Sequence, residues 1–227
     1  MSIHTTPPPN LRFYTYPLGP FVQPVLITLL ETGLPFETQE VDVHAKPQWL
    51  EELSPTGKVP LLKTDGVVLF ESLVIVEYLD EITGGALSPS DPRRRARNRS
   101  WRTYAMALLD AMFGVMIAKD ESGFAAASAD VEQRYARLES ELGEGPYFEG
   151  ADLSLADLCF APAFVRQRLV DSTWGFDVLQ KFPRVDAWAW AVLERPSVRD
   201  SLPGSFEAAV VGWLRSLETH LARLPLR

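Results

Sequence analysis

The chain changes its periodicity once, and that change limits what it can fold into. Alternation and hairpin signals fill the stretch up to Phe70, whereas beyond Asp91-Pro92 apolar residues recur only at helical spacing. Leu11 to Tyr16 alternates, with Leu11, Phe13 and Thr15 on one side and Arg12, Tyr14 and Tyr16 on the other. Pro17, Gly19 and Pro20 then make a rigid turn. Val22, Val25, Leu26, Leu29 and Leu30 follow a helical period until Gly33-Leu34-Pro35 stops it, and Pro24 is tolerated because it falls in the first turn. A second alternating run, Phe36 to Val43, implies a parallel strand after a right-handed crossover. A short helix around Pro47 to Leu53 follows. Pro60 to Lys63 and Val67 to Phe70 then flank Thr64-Asp65-Gly66, where Asp-Gly marks a hairpin. Ser72 opens a helix with the apolar stripe Ile75, Val76, Tyr78 and Leu79, ending near Gly84-Gly85.

This order predicts an α/β, thioredoxin-like N-terminal domain over 11–84, a linker over 85–91 and an all-α domain over 92–227. Residues 1–10 read as a flexible, Pro-rich tail without the basic and apolar regions of a signal peptide. Asp91 is an N-cap with proline at the first helical position, opening a helix to about Lys119. Lys119 to Asp130 reads as a mobile loop. Further helices are expected at Val131 to Leu142, Leu155 to Val170, Pro183 to Leu193 and Phe206 to Leu224. With 227 residues, 46% of them hydrophobic, the chain can bury two cores.

Charge and cysteine usage remove several functions. A net charge of -8 argues against nucleic-acid binding, and any anion site must build its own positive field. The basic run Arg93, Arg94, Arg95, Arg97 and Arg99 reads as a salt-bridged or subunit-facing surface. One cysteine, Cys159, allows neither an intramolecular disulfide nor a thiolate metal cluster, and His4, His44 and His220 lack ligand spacing, so no metal is expected. No apolar run reaches the roughly 20 residues of a membrane span, so no membrane partner is expected and the expected compartment is the cytoplasm.

Three short segments carry chemical meaning. In Gly57-Lys58-Val59-Pro60, a proline starting a strand after a tight loop suits a cis bond that turns the backbone groups of Val59 toward an extended peptide ligand; the alternative is that Pro60 only shapes the strand entry. At Glu71-Ser72 a strand becomes a helix. Its free N–H groups and serine hydroxyl suit a carboxylate and Glu71 suits an adjacent ammonium, although a plain N-cap gives the same pattern. Lys46, in Lys46-Pro47-Gln48-Trp49, can meet a second carboxylate across the groove, or can be a solvated surface lysine.

Taken together, these segments resemble the glutathione site of cytosolic glutathione transferases, most like omega-class and bacterial β-etherase-like members. The resemblance extends to Tyr78-Leu79-Asp80-Glu81, to Leu153-Ser154-Leu155-Ala156-Asp157, and to Phe182-Pro183 through Arg195-Pro196-Ser197. The segment Leu153 to Asp157 has its own physics, a capping box between Ser154 and Asp157. The resemblance implies glutathione as co-substrate, held by Lys46, Lys58, Val59, Pro60, Glu71, Ser72 and the backbone near Phe21, and it implies a homodimer. Counted back from Val59, the position of the omega-class cysteine holds Gly19, so thiol–disulfide exchange through an enzyme cysteine is not expected. Cys159, beside Phe160 on an apolar helix, reads as core.

The glutathione thiol can itself be the nucleophile. Lowering its pKa of about 8.5 by two units takes about 2.7 kcal/mol, and one hydrogen bond to a charged group supplies roughly 1.5–3 kcal/mol. Tyr16 and Tyr14 are the available donors on the first strand, unless both pack structurally. Tyr104, Leu108, Met112 and Met116 form a stripe on the long helix that either lines an apolar electrophile pocket or packs within the helical domain. The leading expectation is a transferase that activates glutathione against an apolar, small-molecule electrophile. The alternative is a non-catalytic ligand-binding or interaction protein, which Gly19 favours.

Overall fold

The computed structural model describes residues 10–227. The tail expected over 1–10 lies outside the described residues, except for an exposed Asn10. Four strands form one mixed sheet: β1 (Leu11–Thr15), β2 (Phe36–Glu40), β3 (Leu61–Thr64) and β4 (Val67–Phe70), in the order β2-β1-β3-β4. β1 and β2 are parallel, joined by α1 (Gln23–Thr32) as the crossover helix, and the other pairs are antiparallel. Asp65 and Gly66 join β3 to β4 with φ of 43° and 87°, the double left-handed turn that Asp-Gly permits.

The sheet is covered on both faces. Leu11 and Phe13 pack with Val25, Ile27 and Leu29 of α1 and with Ile75, Val76 and Leu79 of α3 (Ser72–Ile82). Tyr14 and Leu61 point the other way, onto Val41 and onto Leu50 of α2 (Gln48–Leu53). This is the expected α/β unit with its apolar residues sorted by strand alternation.

The remainder is helical: α4 (Pro92–Ile117), α5 (Glu121–Glu141), α6 (Leu155–Trp174), α7 (Pro183–Leu193), α8 (Pro196–Asp200), α9 (Phe206–Ser216) and α10 (His220–Arg223). Asp91 caps α4 by accepting from the Arg93 and Arg94 N–H groups at 3.1 and 2.9 Å. α6 is the centre of this half, buried from Leu155 through Gln167. Cys159 sits there fully buried, its thiol pushed up to about 12 by desolvation, which excludes it as a nucleophile. The arginine run pairs with carboxylates, Arg94 with Glu149, Arg97 with Glu141 and Arg99 with Glu77.

Two expectations about the helices need correction. The segment read as a mobile loop, Lys119 to Asp130, is helical from Glu121. Asp120 accepts from the Gly123 N–H at 2.8 Å and caps α5, and its alanines favour helix even where the helix has little to bury. The single helix expected from Phe206 to Leu224 is broken at Leu217. There the chain turns so that the His220 N–H meets the Ala118 carbonyl at 2.8 Å, and Thr219 caps a new turn. No described helix is long and apolar enough to cross a membrane.

Candidate active site

Beyond the end of β1 the chain must turn sharply into α1, and Gly19 lets it do so. The Gly19 N–H donates to the Tyr16 carbonyl at 2.8 Å, and a Cβ at this position would lie 3.1 Å from that carbonyl oxygen and 3.2 Å from Val22 Cγ2. A side chain at this position would require those neighbours to give by a few tenths of an ångström. The turn is held from the helical half by Arg166 of α6, which donates to the Leu18 carbonyl at 2.9 Å and to Gln23 Oε1 at 2.8 Å. Burial lowers the Arg166 pKa to about 10, so the guanidinium stays charged at neutral pH.

Two clefts with charged side chains on their borders lie on the α/β half. One is bordered by Tyr16, Gly19, Phe21, Lys46, Lys58 and Val59. The other is bordered by Phe21, Lys58, Val59, Pro60, Glu71, Ser72 and, from α4, Met106 and Asp110. The Val59–Pro60 bond is cis. Ser54 clamps this loop, its Oγ accepting from the Lys58 N–H at 3.1 Å and donating to the Lys58 carbonyl at 3.0 Å. Asp42 shapes the opposite loop by accepting from the His44 and Ala45 N–H groups at 2.8 and 3.1 Å, bonds that hold its carboxyl below the usual range. Glu71 has φ of 68°, a left-handed backbone rarely adopted by a residue with a side chain, and it presents the first turn of α3 to the cleft. The Ser72 hydroxyl was expected to face outward. It instead donates to the Phe21 carbonyl at 2.6 Å, leaving the backbone N–H groups of Ser72 and Leu73 as the open donors.

An apolar cavity of ≈ 420 Å³ adjoins them, reaching from Tyr16, Gly19 and Phe21 to α4 and α9. Met112, Phe113 and Met116 line it with Trp213, whose ring stacks on Phe113 at 6.4 Å. Of the stripe Tyr104, Leu108, Met112 and Met116, the two methionines border this cavity and the other two pack within the helical domain. Leu108 is fully buried in the helical core, and Tyr104 packs on Trp101 and donates to the Arg134 carbonyl at 3.3 Å. Residues four apart drift about 40° around a helix, so three such steps, from Tyr104 to Met116, leave one face for another. The α4 residues that meet the cavity besides the two methionines are Leu109, Asp110 and Phe113.

Of the two candidate tyrosines, Tyr16 borders both the apolar cavity and the first cleft, with its ring edge-on to His44 at 6.2 Å. Tyr14 does not join them. It is buried under the sheet against Trp49 at 5.5 Å, because the strand ends between the two residues and only the later one enters the turn. Sequence reading missed His44, Asp110 and Arg166. The first two are polar residues in amphipathic surroundings, and the third is placed entirely by tertiary contact.

A family model described as the glutathione S-transferase N-terminal domain matches residues 13–87, and one described as the C-terminal domain matches residues 105–201. The chain belongs to the glutathione S-transferase family. It is 33% identical to glutathione S-transferase U19 of Arabidopsis thaliana over 78% of this chain and 82% of that one. It is 30% identical to Protein LigF of a Sphingobium strain, over 84% and 92%. The crystal structure of glutathione transferase Omega 3C from Trametes versicolor superposes with a TM-score of 0.77 at 28% identity, covering 87% of this transferase-family chain and 90% of that one.

Proposed function

We propose that this chain binds glutathione along the two clefts and directs its thiolate at an apolar electrophile, including an ether carbon, held in the adjoining cavity. The observation that carries the reading is the meeting of all three spaces at Phe21, with Tyr16 and Gly19 at the corner between the cavity and the cleft that Lys46 and Lys58 border. A tripeptide laid along the clefts has Lys46 and Lys58 for one carboxylate. The α3 N-terminus takes the other, with Glu71 beside it for the ammonium group. Its sulfur then falls at the corner. There the Tyr16 hydroxyl and the N–H groups of Phe21 to Gln23, at the start of α1, stabilise the thiolate, and the cavity holds the reaction partner close to it.

The test is conjugation of a chromogenic aryl halide to glutathione by wild-type and Tyr16→Phe protein. Loss of one hydrogen bond to a charged sulfur lowers kcat/KM roughly 10- to 100-fold at neutral pH. The deficit shrinks above the ordinary thiol pKa, where thiolate forms unaided. Tyr14→Phe leaves turnover unchanged. Equal turnover in wild type and Tyr16→Phe would remove the tyrosine from the mechanism.

A second reading, a glutathione-binding carrier without turnover, is favoured by Gly19, which supplies no side chain to the sulfur. Saturable glutathione binding with no conjugation of any aryl halide would select it.

A further inference from the structure

Arg166 carries a charge that the described residues do not balance. It is 5% exposed, and its guanidinium lies over the Phe206 ring at 5.3 Å. Its acceptors are the Leu18 and Pro162 carbonyls at 2.9 and 3.0 Å and Gln23 Oε1 at 2.8 Å, all of them neutral. Desolvation alone depresses its pKa, with no neighbouring carboxylate to raise it. Nε takes part in none of these bonds and is not among the sealed atoms that lack a partner, so its N–H remains available. Neutral acceptors satisfy hydrogen bonds but leave the charge uncompensated, which is costly in a buried site. That charge stands at the wall of the apolar cavity, which Arg166 borders together with Leu18, Phe113 and Trp213.

We infer that this cavity takes flat, two-ring aromatic acids, with the carboxylate paired to Arg166. The inference rests on the proposed use of the cavity for the electrophile, and it names the class of molecule. A carboxylate supplies the counter-charge that the protein withholds, and the guanidinium fork suits it better than any neutral group. The chain's net charge of -8 repels anions at large, so an anionic ligand needs a local positive group of this kind. Asp110 and His44 also border the cavity, but both are exposed, and water screens them as it does not screen Arg166. Size sets the ring count. About 150 Å³ holds one benzene ring, and ≈ 420 Å³ is available here, with the stacked Phe113 and Trp213 as a flat wall.

The experiment is a calorimetric titration of the full chain, without glutathione, by para-phenylbenzoate and by its neutral isostere para-phenylbenzamide. The acid is expected to bind about tenfold more tightly or better, as one charge-assisted hydrogen bond provides. Arg166→Met should keep the amide's affinity and bring the acid down to it. Because Arg166 also ties the turn at Leu18, a second variant leaves it in place. Phe113→Asp sets a carboxylate at the cavity wall from an exposed position, and it should lower the preference for the acid by about threefold or more. Equal affinities of the two ligands in the wild type overturn the proposal. So does a preference that Phe113→Asp does not alter, or one that is lost in Lys46→Met with Lys58→Met, which would place the acid in the cleft proposed for glutathione. With glutathione absent from the titration, its own failure to bind is a separate result.

Discussion

Glu71 holds a backbone conformation that costs free energy, and it does so at the lip of the second cleft. A φ of 68° on a residue with a Cβ costs on the order of 1–3 kcal/mol, and such strain persists where the site needs it. Glycine relaxes it but removes the carboxylate proposed to meet the ligand ammonium. Glu71→Gly should therefore unfold at equal or higher denaturant concentration than wild type, with stability up to about 2 kcal/mol greater. Its glutathione affinity should fall at least tenfold, the worth of one charge-assisted hydrogen bond. Loss of stability together with unchanged affinity would mean that the residue serves the fold alone. The Glu71-Ser72 pair was legible because a strand meeting a helix is a local event. The strain was not, since nothing in the residue type announces a left-handed backbone, and neither was the inward turn of the Ser72 hydroxyl onto the Phe21 carbonyl, 51 residues away.

α6 shows what a short motif specifies and what it leaves out. Ser154 and Asp157 form the expected capping box, with the Ser154 N–H donating to Asp157 Oδ2 at 2.8 Å. Asp157 also accepts at Oδ1 from the Phe148 N–H and from Trp188 Nε1–H, both at 2.7 Å, so one carboxylate fixes a helix start, a preceding loop and α7. Asp157→Ala strands three buried N–H donors at about 1–3 kcal/mol each. Its cost in urea unfolding should exceed about 4 kcal/mol, against about 1 kcal/mol for Ser154→Ala. Similar small losses for both variants would reduce Asp157 to a local cap. The cap was readable because its partners are three residues apart; the links to Phe148 and Trp188 were not. For the same reason Asp91 was recognisable as the start of α4. The end of α9 was hidden, because it answers to a carbonyl of the distant Ala118.

At the scale of the whole molecule, the site exists because two independently readable halves are pinned together. Arg166 reaches 148 residues back to the Leu18 carbonyl, Ser197 donates to Glu31 at 2.6 Å alongside the Arg195–Glu31 ion pair, and the Leu155 N–H meets the Leu87 carbonyl at 2.9 Å. These ties place α4 and α9 over the turn at Gly19 and close the apolar cavity against the two clefts. The crossover, the hairpin and the change to an all-helical half follow from local periodicity, so they were available in the sequence. The α4 face that lines the cavity depends on rotation between packed helices, and a stripe drawn through Tyr104 and Leu108 could not anticipate it.

The proposed function requires this groove to bind glutathione and to steady its sulfur without a protein cysteine. An ultraviolet titration of glutathione thiolate in the presence of excess protein tests it most directly. The bound thiol is expected to ionise one to two units below its free value of about 8.5. Glutathione that keeps its free ionisation curve at saturating protein, or that does not bind at all, would contradict it.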